Sequence, residues 1–305
     1  MQRQLTAVIS SLVLLATACS NGSSPAVAQL LPDAAITRTN ALAAASAVYR
    51  SGHELVRVAR IAGTFFQVAP PAPTGGSGSP AILAQQVTGP EGGSAILSWD
   101  DRDGDRRYST GDSFAIACTD YTDQGLGLTG SIQFDQVDIE GDVTAGLTWI
   151  LTARLHLIGL VATNPNTQAS VTLDLDVPFA REQRATVRLL SLLPDRELKV
   201  GPRTLQLGTV LGRNDYQIDF RMGLLAEGAV MDPTLGGTLT FHTKALLTGV
   251  QVLPDPAEGL LEIHGGNRSK LVVAPIDFFN CELRVDENGD GVTDITIPAE
   301  WSTLQ

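Results

Sequence analysis

Residues 143–157 constrain the fold more than any other stretch. Val143, Ala145, Leu147, Trp149, Leu151, Ala153, Leu155 and Leu157 are apolar. The residues between them, Thr144, Gly146, Thr148, Ile150, Thr152, Arg154 and His156, are mostly polar. A period of two means an extended strand with one face buried and one face wet. The same alternation returns at Val171-Leu173-Leu175-Val177 and at Tyr216-Ile218-Phe220-Met222-Leu224. Shorter echoes stand at Leu239 and Phe241 and at Leu261 and Ile263. Clean alternation favours antiparallel pairing, and no long helical pattern separates these strands. The expected fold is mainly β: a large antiparallel sheet, flat or curved, or a sandwich, over residues 81–305. An outer-membrane barrel also alternates, but it carries aromatic girdles. Aromatic residues are only 5% of this chain, and the C-terminus lacks a terminal aromatic, so that class is rejected.

The strands do not begin at once. Residues 1–18 are a short, singly charged start followed by an apolar run from Leu5 to Ala18. A run of that length fits the apolar region of a signal peptide and is short of the roughly 20 residues that span a bilayer as a helix. It ends in Leu15-Ala16-Thr17-Ala18-Cys19, which resembles the bacterial lipobox. The resemblance implies that Cys19 is acylated and holds the protein on a membrane. Ala16 departs from the commoner Leu. The rival reading is an ordinary secretory signal cut after Ala26-Val27-Ala28. Ser20, rather than Asp, follows the cysteine, which in such lipoproteins implies transfer to the outer membrane, periplasmic or surface side left open. Residues 19–33 read as a tether, and the Ala-rich residues 34–68 as a helix with Leu42, Ala45, Tyr49 and Val56 on its apolar side and Gly52 as its weak point. Residues 69–80 (APPAPTGGSGSP, with Ala69 first) read as a linker.

The formal charge of −12 gives no help with phosphate neutralisation, so nucleic acid is not an expected partner. Acidic surface suits cations instead. Two loops concentrate it. Residues 101–112 place oxygen side chains at loop positions 1, 3, 5, 9 and 12 (Asp101, Asp103, Asp105, Ser109, Asp112), with Arg107 at the position that offers a backbone carbonyl. Ca²⁺ takes six to eight oxygens, and this run resembles the calcium loop of EF-hands and dockerin modules. Arg106 replaces the family's Gly at position 6, and Asp112 its Glu at position 12. Residues 286–294 place Asp286, Asn288, Asp290 and Asp294 at positions 1, 3, 5 and 9, with Gly291 at 6 and Val292 at 7. This run resembles the shorter loops of thrombospondin type 3 repeats and integrin propellers. Both resemblances imply structural Ca²⁺. The plain alternative is a pair of acidic turns.

Beyond Cys19, the cysteines are Cys118 and Cys281. An even pair in an oxidising compartment suggests a disulfide; two separate buried thiols are the alternative. A bond between antiparallel neighbours would set residue 112 opposite residue 287 and bring the two acidic loops together. Other motifs are weak. Gly125, Gly127 and Gly130 fit G-x-G-x-x-G, but a strand pattern follows where a dinucleotide site needs a helix. His53, His156, His242 and His264 are widely spaced, so no zinc site is indicated. No nucleophile elbow is present, so no enzyme activity is assigned. The order of lipobox, linker, acidic loop, strands and second acidic loop resembles bacterial outer-membrane lipoproteins, a group that brings no activity with it. The expected role is binding or structural in the cell envelope, with a glycan, a protein or an apolar ligand as partner. A first alternative is a carrier of a lipid-like ligand: a strand of fifteen residues spans about 50 Å, enough to cradle an acyl chain. A second alternative is a hydrolase.

Overall fold

Burial along the strands follows the alternation in the sequence. In a computed structural model of the chain, residues 33–68, 70, 81–144, 146–165, 168–184, 187–192, 194, 198–208, 210–215, 221–250 and 255–304 are described. The signal segment, Cys19, nearly all of the tether, the linker apart from residue 70, and residues 216–220 of one alternating run lie outside them. The strands start with β1 (Ala81–Thr88), β2 (Gly92–Asp101), β3 (Ser113–Asp123), β4 (Leu126–Gly141), β5 (Trp149–Thr163) and β6 (Ser170–Arg184). Each pairs antiparallel with the next.

Strand β6 is long enough for two neighbours. Its residues 179–184 pair with β7 (Val187–Leu192), while Leu173 and Asp174 pair with β8 (Leu198–Val200). β9 (Arg203–Leu207) and β10 (Val210–Asp215) continue these two lines, followed by β11 (Arg221–Leu225) and β12 (Glu227–Asp232). Both lines rejoin on β13 (Gly237–Val250), which takes β12 on residues 237–242 and β11 on residues 247–250. The interruption lies at Gly208, where a Cβ would sit 2.8 Å from Glu227, and at Ala226, whose N–H bonds the Thr243 hydroxyl at 3.1 Å. Bulges of this kind bend a strand and sharpen its twist. β14 (Glu258–His264), β15 (Lys270–Pro275), β16 (Asn280–Asp286) and β17 (Ile295–Glu300) complete one antiparallel sheet. The mainly antiparallel β fold expected from the alternation is therefore the fold found.

Helix α1 (Ala41–Thr64) fills the inner side of this sheet. Ala41, Ala44, Ala45, Ala47, Ala59 and Ala62 are buried, and such small side chains let strands approach from several directions. The helix touches β10, β12, β13, β14, β15 and β16. Beyond it, Phe65 packs against Tyr121 at 5.0 Å, and Phe66 meets Phe114 and Phe134 at 4.6 and 4.8 Å. Helix and sheet thus share one hydrophobic core. The sequence shows only a thin apolar face because alanine and glycine bury well without reading as strongly hydrophobic. Leu42, expected inward, is 43% exposed. Gly52 does not break the helix; it faces a small apolar cavity of about 10 Å³ lined by Val48, Tyr49, Phe241, Leu247 and others.

Two expectations need correction. The strand read over 143–157 begins at Trp149 instead. Asp142 stops it: its carboxylate accepts the N–H and hydroxyl of Thr144, and its carbonyl accepts the N–H of Gly146. That local turn competes with the ladder. The strand then runs on to Thr163 through a bulge between Leu157 and Leu160.

The second correction is the disulfide. Cys118 and Cys281 are free, buried thiols. Cys118 lies on β3, paired with β2 and β4, and Cys281 on β16, paired with β15 and β17. Both cysteines point inward on apolar strand faces, and the strands are far apart in the order of the sheet. Counting antiparallel steps between them, β3 and β16 run in the same sense. Burial pushes both thiols up to about 12, with the Asp255 charge adding to the rise at Cys281. A thiolate is the reactive form. In a Cys19→Ser chain, neither thiol should react with DTNB under native conditions and both should react in denaturant. Rapid native labelling would place a sulfur at the surface.

Candidate metal centres

The two acidic loops close different hairpins. Residues 101–112 join β2 to β3, and residues 286–294 join β16 to β17. Because β3 and β16 run in the same sense, the loop before β3 and the loop after β16 lie at opposite ends of the strands. The expectation that they adjoin fails with the disulfide on which it rested. The first loop rests on β4, with the Thr110 hydroxyl donating to Asp138 at 2.7 Å and the Gly111 N–H to the Val137 carbonyl. The second lies beside the start of the described chain, where the Arg38 N–H donates to Glu287 at 2.5 Å.

Their internal hydrogen bonds match position by position. At position 1, the Asp101 carboxylate accepts the N–H groups of Gly104 at 2.9 Å and Arg106 at 3.1 Å. Asp286 likewise accepts those of Gly289 at 2.7 Å and Gly291 at 2.8 Å. At position 3, Asp103 accepts the N–H of Asp105 at 3.0 Å, and Asn288 that of Asp290 at 2.8 Å. At position 5, Asp105 accepts the N–H of Arg107 at 2.7 Å, and Asp290 that of Val292 at 2.8 Å. The N–H of position 2 is bound in both loops, but by different residues. Asp112 accepts it from Arg102 at 3.2 Å, and Asp294 from Glu287 at 2.7 Å. Position 12 in one loop and position 9 in the other thus do the same job.

Two backbone positions turn left-handed in each loop. Gly104 and Gly289 have φ of 73° and 74°. Arg106 and Gly291 follow at 61° and 86°. Arg106 therefore takes a left-handed turn that glycine would adopt without strain, at a cost of about 1–2 kcal/mol.

Asp101, Asp112 and Asp286 are buried. Their hydrogen bonds come from backbone N–H groups, the Trp99 indole N–H and the Ser109 hydroxyl. Among the described residues, no lysine or arginine pairs with them. Burial pushes the Asp101 carboxyl up, its two N–H donors pull it down, and nearby Asp103 and Asp112 raise it again. The exposed Asp103 carboxyl is held low by the Asp105 N–H. Asp286 is also held low, four backbone N–H groups outweighing its burial. One oxygen each of Asp101, Asp103 and Asp105 lie within 4.8 Å of one another. Two ligands of one calcium ion stand at most about 5 Å apart, so this set fits. Ser109 joins it, donating to Asp103 at 3.2 Å. In the second loop position 3 is Asn288, whose amide offers a neutral oxygen where the first loop has the Asp103 carboxylate.

Two further clusters stand on the outer face of the sheet. His156 sits between Asp135 and Asp176, 3.3 Å from each. On β13 and β14, His242 and His264 stack at 5.6 Å, with Glu262 beside them, opposite His242 in the ladder. Burial pushes the Glu262 carboxyl up, but Lys244 and Lys270 outweigh it and hold it low. The His264 imidazole is lowered, by burial first. Sequence reading missed this group because its histidines are twenty-two residues apart. The signal was their shared polar phase, legible only once the hairpin register is known.

No protein-family model, curated protein or solved structure matches this chain. The sites rest on their own chemistry.

Proposed function

We propose that this chain is a lipid-anchored cell-envelope protein whose β domain is stiffened by calcium in its two acidic loops, with a binding or structural role. The observation that supports it is the shared scaffold. Two loops of different sequence, at opposite ends of the sheet, direct position-1, -3 and -5 side chains inward with the same N–H donors. Buried carboxylates without a cationic side chain are costly unless an ion or strong hydrogen bonds compensate. Extracellular calcium modules bind at about 10⁻⁴–10⁻³ M, which suits a structural role. Equilibrium dialysis of the full chain should find two calcium ions. Asp101→Asn and Asp286→Asn should each remove one. A chain that takes up no calcium at millimolar concentration overturns the reading.

The anchor rests on Leu15-Ala16-Thr17-Ala18-Cys19. A Cys19→Ala chain should move from the membrane to the soluble periplasmic fraction. Retention in the membrane would remove the lipid from the account. The carrier alternative gains no support from the geometry, because α1 occupies the inner face that an acyl chain would need.

A further inference from the structure

Strand pairing brings together three metal-ligating side chains that the sequence keeps apart. In the β13–β14 ladder, His242 stands opposite Glu262 and Thr240 opposite His264. His242 is therefore diagonal to His264. Their neighbours Phe241, Thr243, Leu261 and Ile263 are buried on the core side; the three polar residues take the opposite phase, with His242 and His264 half-buried and Glu262 covered. One ligand atom from each of His242, Glu262 and His264 lies within 4.8 Å of the other two. The rings are nearly parallel, 8° apart.

We propose that His242, Glu262 and His264 bind a borderline divalent transition-metal ion, zinc above all, on the outer face of the sheet. Zinc takes imidazole nitrogen at 2.0–2.1 Å and carboxylate oxygen at 2.0–2.2 Å, in a tetrahedron. Two such ligands stand about 3.3 Å apart. His242 Nε2 and Glu262 Oε2 are already 3.1 Å apart, so that edge opens by a few tenths of an ångström to take an ion. His264 closes by a side-chain adjustment. Two nitrogens and one oxygen suit zinc and its neighbours rather than calcium, which prefers oxygen alone.

The two lysines do not occupy the coordinating atom. Lys244 Nζ and Lys270 Nζ both lie 3.4 Å from Glu262 Oε1, whereas Oε2 faces His242. They hold the carboxylate in place, as hydrogen-bond partners of metal ligands commonly do. Their charge also weakens cation binding, so the affinity should fall below that of a four-ligand structural zinc site. Three protein ligands leave the fourth position to water.

The site is independent of the calcium loops, and its test keeps the two apart. The full chain, held in excess calcium, is titrated with zinc by calorimetry and with cobalt by visible absorption. One zinc per chain is expected, and cobalt should give the intense visible band of a tetrahedral site. His242→Ala and His264→Ala should each weaken zinc by at least about tenfold and abolish the cobalt band. Asp101→Asn should leave both unchanged. If an alanine variant misfolds, His264→Gln keeps a polar side chain in the stack while removing the ring nitrogens, and should give the same loss. No zinc uptake by the unaltered chain, uptake indifferent to the histidine variants, or uptake lost with Asp101→Asn would each overturn the proposal.

Discussion

Phe66→Ala should destabilise the folded domain by about 3–5 kcal/mol, the range for deleting a fully buried aromatic ring. Phe66 is 1% exposed. It follows α1 in the short turn Phe65–Gln67 and fills the space between β3 and β4, with Phe114 and Phe134 against its ring. Tyr108, from the first acidic loop, meets it edge-on at 6.3 Å. Removing the ring leaves a cavity that rigid strands on one side and a helix end on the other cannot close. Equilibrium unfolding in urea should show the midpoint falling with the slope unchanged. Phe66→Leu should cost less, because it refills part of the volume. A loss below about 1 kcal/mol for the alanine variant would mean that the helix is not part of the core.

How much of this was legible in the sequence depends on the range of the physics involved. Period-two burial is local, so β6 could be read directly from Val171, Leu173, Leu175 and Val177. Strand boundaries were less legible. Val143 to Leu147 alternate as well as any strand, yet the Asp142 carboxylate captures Thr144 and turns the chain first. The helix was visible as an Ala-rich run, but its central place was not. Alanines become a tightly packed surface only when strands close on several sides, and no residue announces that alone. Strand order was beyond reach. Pairing Cys118 with Cys281 assumed that β3 and β16 are neighbours, and the run of hairpins between them sends both thiols to separate parts of the core. The acidic loops lay at the other extreme: the side chains at positions 1, 3 and 5 take their N–H donors from within the same loop, so spacing alone placed them. Asp112 and Asp294 sharing one role from different positions was the part spacing did not reveal. The His242–Glu262–His264 group needs register across a hairpin, and therefore escaped.

Calcium should raise the melting temperature of the full chain, and this measurement bears most directly on the account. An ion bound only by the folded state stabilises it by RT ln(1 + [L]/Kd). At 10 mM calcium, with the affinities usual for extracellular modules, each loop contributes about 1.4–2.7 kcal/mol. Two independent loops should therefore give about 3–5 kcal/mol, a rise of roughly 6–20 °C for a domain of this size. Asp101→Asn and Asp286→Asn should each remove about half of the rise, since the loops lie at opposite ends of the sheet and share no ligand. Magnesium at the same concentration should do far less, because it demands a smaller octahedral site. A calcium-dependent rise that shrinks by half in each variant is the predicted result. Superimposable melting curves in calcium and in EDTA would contradict the account and leave both loops as acidic turns.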